Sequence, residues 1–181
     1  MKKLIIGALV GGLIIFLWQT LSWTVLNLHH ASQEYTPKQD SILNFLNTQF
    51  SEDGSYLLPS YPKNTSWDEM QKEMPKYKDK PWVQIQYHKS LSVDMGANIA
   101  RGFLVNIIMV GLMCWILMRI STAGFGVIFT ACLLTGLIVF INSPYTVHIW
   151  YQKADIMAHL WDALISWGLC GIWLGWWLSR K

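Results

Sequence analysis

Asp155, His159, Asp162 and Ser166 follow one another at intervals of four, three and four residues, which on a helix places them in a single stripe. Asp94, Asn98 and Arg101 repeat the first two intervals, with Asn106 further along the same segment. Both stripes run into apolar sequence, where charged and polar side chains are costly and mark function by default. Three arrangements fit them. Arg101 and Asp162 pair as ions facing the interior of a helix bundle; or Arg101 snorkels to headgroups while Asp162 stays in interfacial water; or the stripe handles protons or a ligand. The ligand set would then be Arg101, His159, Asp162, Asn98 and His29.

The five histidines, His29, His30, His88, His148 and His159, lie in polar sequence or near the ends of apolar runs. Imidazole is the commonest metal ligand, so His29, His30, His88 and His159 form the candidate metal set, with carboxylates to complete or orient it. Against this, adjacent histidines are no recognised ligand spacing, unlike HExxH on a helix. Nearly all polar sequence is on one side, so histidines fall there by default. His159 and Asp162, three residues apart, would also suit a general base pair. No GxSxG elbow, P-loop or paired-carboxylate motif is present, so no catalytic residue is assigned and an enzyme is not expected. No cofactor is demanded; a metal or a quinone is the kind the cluster would accept.

The elements that position these residues follow from composition. Of 181 residues, 52% are hydrophobic, 14% are charged and 11 are Trp, with a mean hydropathy of +0.28. About 25% charged residues is usual in soluble domains. A soluble globule, a disordered chain and a nucleic-acid binder are thereby excluded; a net charge of +3 implies no phosphate-binding face. Four apolar runs reach the length of about 20 residues that spans hydrocarbon as a helix: Leu4 to Leu26, Ala97 to Met118, Ala123 to Ile141 and Ala158 to Leu178. The first is too long for a signal peptide and lacks a small-residue cleavage site, so it reads as an uncleaved anchor. Lys2, Lys3, Arg119, Arg180 and Lys181 gather at one set of helix ends, which the positive-inside rule assigns to the cytoplasm. Both termini are then inside and the long polar loop outside. Trp23, Trp150 and Trp161 at outer ends, with Trp115, Trp176 and Trp177 at inner ends, form two aromatic belts. Arg119-Ile120-Ser121-Thr122 makes a tight inner turn. Cys114, Cys132 and Cys170 sit inside apolar runs and offer no disulfide framework.

The fold class expected is thus mostly α, a bundle of four transmembrane helices with a small α+β extracytoplasmic cap between spans one and two. Residues 1–28 form the first span, 29–95 the cap and 96–181 the remaining spans. Within the cap, Thr36-Pro37 opens a helix carrying Ile42, Leu43, Leu46 and Phe50. Ser55 to Leu58 and Trp82 to Lys89 read as two strands that pair, and Ser66-Trp67-Asp68-Glu69 as a capping box whose helix stops near Pro75. About 65 residues without disulfides barely support an independent core. Gly7-xxx-Gly11 and Gly171-xxx-Gly175 permit close helix approach, either within the chain or against another subunit.

Ser22-Trp23-Thr24-Val25-Leu26-Asn27-Leu28-His29-His30 and Gly54-Ser55-Tyr56-Leu57-Leu58-Pro59 resemble segments of an uncharacterised family of small bacterial four-span inner-membrane proteins. That family has an outer cap between spans one and two. The resemblance implies the same layout in a bacterial inner membrane with a periplasmic cap, directs attention to Trp23, His29, Tyr56 and Pro59, and carries no activity or catalytic residue. The expectation is a non-enzymatic accessory or scaffold subunit of an envelope complex. Its partners are the lipid bilayer and either other proteins or further copies of the chain. The alternative is a self-contained outer-leaflet site for a metal, quinone or lipid built from His and carboxylate residues. An oligomeric channel or transporter is a third reading, weakened because the polar lining stops before the inner half and no inverted repeat is present.

Overall fold

The computed structural model describes residues 1–120 and 124–180, which are mostly helical. The chain forms two compact units, one made of Met1–Glu34 with Asp94–Lys181 and the other of Tyr35–Val93.

The first unit is built on four helices long and apolar enough to cross a membrane: Lys2–Val25, Met95–Leu117, Phe125–Trp150 and Ile156–Leu178. Helix α1 (Lys2–Thr20) runs on through a wide turn at Leu21–Val25. Helix α4 (Met95–Leu117) opens at Asp94, whose carboxylate accepts the Ala97 N–H at 2.9 Å. Asp94, first of the second polar stripe, is therefore occupied as a helix cap. Helix α5 (Phe125–Phe140) continues through a second wide turn, Ile141–Tyr145, into the short α6 (Thr146–Trp150). This third helix thus outruns its expected end at Ile141. Pro144 lies inside the wide turn, where a looser hydrogen-bond pattern absorbs the N–H that proline lacks. Its expected start at Ala123, and the Ser121-Thr122 turn, lie outside the described residues. Helix α7 (Ile156–Leu178) completes the set.

Helix α7 packs against α5 and α1, and α1 against α4. Ile15, Val110, Cys114, Ile128, Cys132, Cys170 and Leu174 form the buried core, and the three cysteines are free thiols. Glycines set the helix spacing. A Cβ on Gly11 would meet Val110 Cγ1 at 2.8 Å and Cys170 Sγ at 3.1 Å, while one on Gly7 would meet Cys114 Sγ at 3.0 Å. On α7, Gly171 faces Cys132 and Phe129, and Gly175 faces Phe125. Both GxxxG motifs are consumed by packing within the chain. At the N-terminal end of the bundle, Lys3 Nζ donates to the Arg180 carbonyl, and the Arg180 guanidinium lies 3.3 Å from the Trp176 ring centroid.

In the second unit, α2 (Gln39–Gln49) starts two residues after Pro37, because the Gln39 N–H first closes a turn on the Thr36 carbonyl at 3.2 Å. Strands β1 (Gly54–Leu58) and β2 (Val83–Tyr87) pair antiparallel, with Tyr56 opposite Ile85 and Gly54 opposite Tyr87. Helix α3 (Trp67–Glu73) carries the expected capping box, Ser66 Oγ accepting from the Glu69 N–H and the Glu69 carboxylate from the Ser66 N–H. Phe50 stacks on Tyr56 with centroids 3.9 Å apart, and the Tyr87 hydroxyl donates to Asn47 Oδ1 at 2.8 Å.

Candidate functional site

After the wide turn of the first helix the chain reverses at Asn27, in the left-handed region at φ 48°. Asn is one of the few residues that adopts this conformation at small cost. The Leu28 N–H then bonds the Ser22 carbonyl at 3.0 Å, which folds His29 back into the bundle unit. His29 is 1% exposed, and residues up to Glu34 belong to this unit. His29 belongs with the helices because a buried imidazole needs polar partners, which they supply.

Those partners are two carboxylates. His29 Nδ1 lies 2.8 Å from Asp155 Oδ2, and Nε2 lies 2.9 Å from Asp162 Oδ2. Asp155 stands at the N-terminal boundary of α7 and Asp162 two turns further on, so the predicted α7 stripe grips the imidazole from both ends. The Trp18 indole N–H donates to Asp162 Oδ1 at 2.9 Å, fixing the second carboxylate oxygen. Trp23 covers one face of the His29 ring, with centroids 3.9 Å apart and planes within 6° of parallel. His159 meets the ring edge-on at 4.8 Å and places Nε2 3.5 Å from Asp155 Oδ2. Burial works to raise the Asp155 carboxyl, but the His29 hydrogen bond and the His159 charge outweigh it and hold it below the ordinary carboxylate value. Ser166 Oγ donates to the Asp162 backbone carbonyl at 2.5 Å.

Asp162 and His159 also form part of the wall of a cavity of about 410 Å³, together with Gln19, Trp23, Ser166 and the apolar side chains of Phe140 and Trp167. One titratable array therefore joins the helix-end carboxylate Asp155, through buried His29, to a mostly apolar chamber between the long helices. Gln19 Oε1 accepts from Asn106 Nδ2 at 2.8 Å, tying the polar residue of α1 to the deepest polar residue of the second stripe.

Of the expected ligand set, His29, His159 and Asp162 converge. Asn98 and Arg101 are exposed on α4, and Asp162 takes His29 and Trp18 where an ion pair with Arg101 was one expectation. Of the metal set, His29 and His159 meet. His30 is exposed with Nδ1 3.2 Å from the Asn27 carbonyl, and His88 belongs to the other unit, where it lies 3.3 Å from Asp53. His148 accepts the Lys153 N–H at 2.9 Å. Neither set contains Asp155, Trp18 or Trp23, which the structure makes the immediate partners of His29 and Asp162. The spacing of Asp155, four residues before His159 and seven before Asp162, is the available signal; Trp23 is singled out only by the resemblance, and Trp18 carries no signal beyond its type.

Comparison with known proteins returns no similarity: no family model, no curated protein and no solved structure matches the chain.

Proposed function

We propose that this chain is a multi-pass membrane protein that binds a lipid-soluble molecule with a small hydrogen-bonding head, of the quinone class, in the cavity beside Asp162. The reading is carried by one observation: a chamber of about 410 Å³ between membrane-length helices presents two titratable groups, His159 and Asp162, in an otherwise mostly apolar wall. Ligand pockets are of this size and character, with few polar groups to orient the ligand. Carbonyl or hydroxyl oxygens of a quinone or quinol head would be met by His159, Asp162, Ser166 and Gln19, while Trp23, Phe140 and Trp167 hold the ring. Behind the wall, His29 links Asp162 to Asp155 by two short bonds, a path along which a proton can reach the head from the helix end.

Orientation belongs to the same proposal. Lys2, Lys3, Arg119 and Arg180 share the end of the bundle opposite His29, so the positive-inside rule puts both termini in the cytoplasm. The cavity then lies towards the outer leaflet and, in a bacterial inner membrane, the Tyr35–Val93 unit faces the periplasm. An accessory-subunit role loses one of its motives, since the GxxxG glycines are filled from within the chain.

The test is quenching of tryptophan fluorescence by a short-chain benzoquinone, with the full chain in nanodiscs. Saturable quenching is expected, weakened at least tenfold by Val139→Phe, which fills the cavity from α5. Quenching that never saturates, or is the same in the variant, overturns the pocket. Native mass spectrometry from the source membrane provides the second check: a stoichiometric protein partner and an empty pocket would return the function to an accessory subunit.

A further inference from the structure

The Asp155–His29–Asp162 array contains a conflict of donors and acceptors. A neutral imidazole carries one N–H. If His29 gives it to Asp162 through Nε2, the Nδ1 lone pair confronts a carboxylate oxygen at 2.8 Å. Something positive must lie between them, a proton or a metal ion. Charge makes the same demand. Asp155 and Asp162 are nearly buried, with side chains 4% and 16% exposed. Among the described residues no lysine or arginine forms an ion pair with either. An imidazolium at His29 balances one of the two carboxylates, and the other has only His159, 3.5 Å from Asp155 Oδ2, beside it, whereas a divalent cation between the three groups would balance both.

We infer that His29 Nδ1, Asp155 Oδ2 and His159 Nε2 form a binding site for a divalent first-row transition metal ion, with Asp162 as the carboxylate that orients His29. The three donor groups lie within 4.8 Å of one another, and two imidazoles with one carboxylate are a donor set used by zinc and non-haem iron centres. Asp162 on the far nitrogen of His29 is the outer partner that metal-bound imidazoles require, since it fixes the tautomer and the ring orientation. The Trp18 N–H fixes Asp162 in turn. Binding needs two adjustments: Nδ1 and Oδ2 must separate from 2.8 Å to about 3.3 Å, and the His159 ring must swing inward, because the donors now span up to 4.8 Å and atoms about 2.0 Å from one ion lie at most about 4 Å apart. His159, 23% exposed on its side chain and part of the cavity wall, supplies the way in. The inference goes beyond the quinone reading and does not rest on it; an ion between His29 Nδ1 and Asp155 Oδ2 would replace the proton path through that bond and leave the binding of the head by the cavity wall unchanged.

The experiment strips the full chain in nanodiscs with a chelator and titrates it with Co²⁺, following the visible d–d band, then displaces Co²⁺ with Zn²⁺. One ion per chain is expected. His159→Ala and His159→Gln remove a ligand at the more exposed end of the site and are expected to weaken binding at least 100-fold. Asp162→Asn should keep the stoichiometry and the band while weakening affinity about 10- to 100-fold. His30→Ala should change nothing. Absence of a d–d band in the unmodified chain, or unchanged binding in both His159 variants, overturns the site. An equal loss in His30→Ala does so too, by showing adventitious surface binding. Quinone quenching measured on the same metal-free sample reports separately on the pocket, so failure of one proposal leaves the other readable.

Discussion

The imidazole of His29 lies flat on the indole of Trp23, 3.9 Å between centroids and 6° from parallel, while both of its nitrogens are held in the ring plane by carboxylates. Stacking fixes the tilt of the ring, and the carboxylates fix its rotation. The two constraints differ in worth. Trp23→Ala forfeits an aromatic pair on a half-exposed indole, about 1 kcal/mol, and Trp23→Phe should retain most of it. His29→Ala takes the shared partner from two nearly buried carboxylates, leaving Asp162 the Trp18 N–H and Asp155 only His159, and breaking a buried pair in this way costs about 3–5 kcal/mol. Unfolding of the full chain in mild detergent should therefore rank the variants His29→Ala, Trp23→Ala, Trp23→Phe from most to least destabilised. A Trp23→Ala variant as unstable as His29→Ala would show that the indole, rather than the carboxylates, holds the site together.

Glycine substitutions should separate by what a Cβ meets. On Gly136 it would sit 2.6 Å from the Ala163 carbonyl oxygen, and on Gly12 2.8 Å from the Ile107 backbone. Neither neighbour is a flexible side-chain end, so a helix must shift. Overpacking of this kind costs about 1–3 kcal/mol, and Gly136→Ala also disturbs the α7 segment between His159 and Ser166 that lines the cavity. Gly126 has nothing within 4 Å, so Gly126→Ala should be neutral. Equal melting of Gly136→Ala and the unmodified chain would mean that α5 and α7 are less tightly joined than the backbone spacing indicates.

Much of this architecture is legible in sequence because hydrocarbon-length apolar runs admit few folds. Leu4 to Leu26 and Ala158 to Leu178 anticipate Lys2–Val25 and Ile156–Leu178 to within two residues. Ser66 and Glu69 announce their capping box by a local rule that needs no tertiary information. Tertiary placement is another matter. Periodicity puts Asp155, His159 and Asp162 on one face of α7, but it is silent on what that face meets. His29 reaches it because Asn27 takes a left-handed conformation, a single backbone choice that no repeat pattern encodes. Arg101 illustrates the converse. It has the right charge and comparable depth to pair with Asp162, yet it is exposed on α4. Rotation of a helix about its axis decides such pairings, and apolar runs with small hydrophobic asymmetry specify rotation weakly.

The Gln19–Asn106 bond offers a measurement of what an amide pair contributes between α1 and α4. Asn106 is 3% exposed, whereas Gln19 is exposed and borders the cavity. The two halves of the pair therefore fail differently. Gln19→Leu strands the buried Asn106 amide, a loss of about 1–3 kcal/mol. Asn106→Leu frees a glutamine carbonyl that water in the cavity can reach, so its cost should be smaller. In Gln19→Leu with Asn106→Leu no polar group is left unsatisfied, and the double variant should be more stable than Gln19→Leu alone. Interhelical hydrogen bonds in membranes couple by about 0.6 kcal/mol on average and up to about 1.7, so a double-mutant cycle should land in that range. A coupling near zero, with both single variants equally mild, would place water on Asn106 as well and extend the polar chamber from Gln19 to α4.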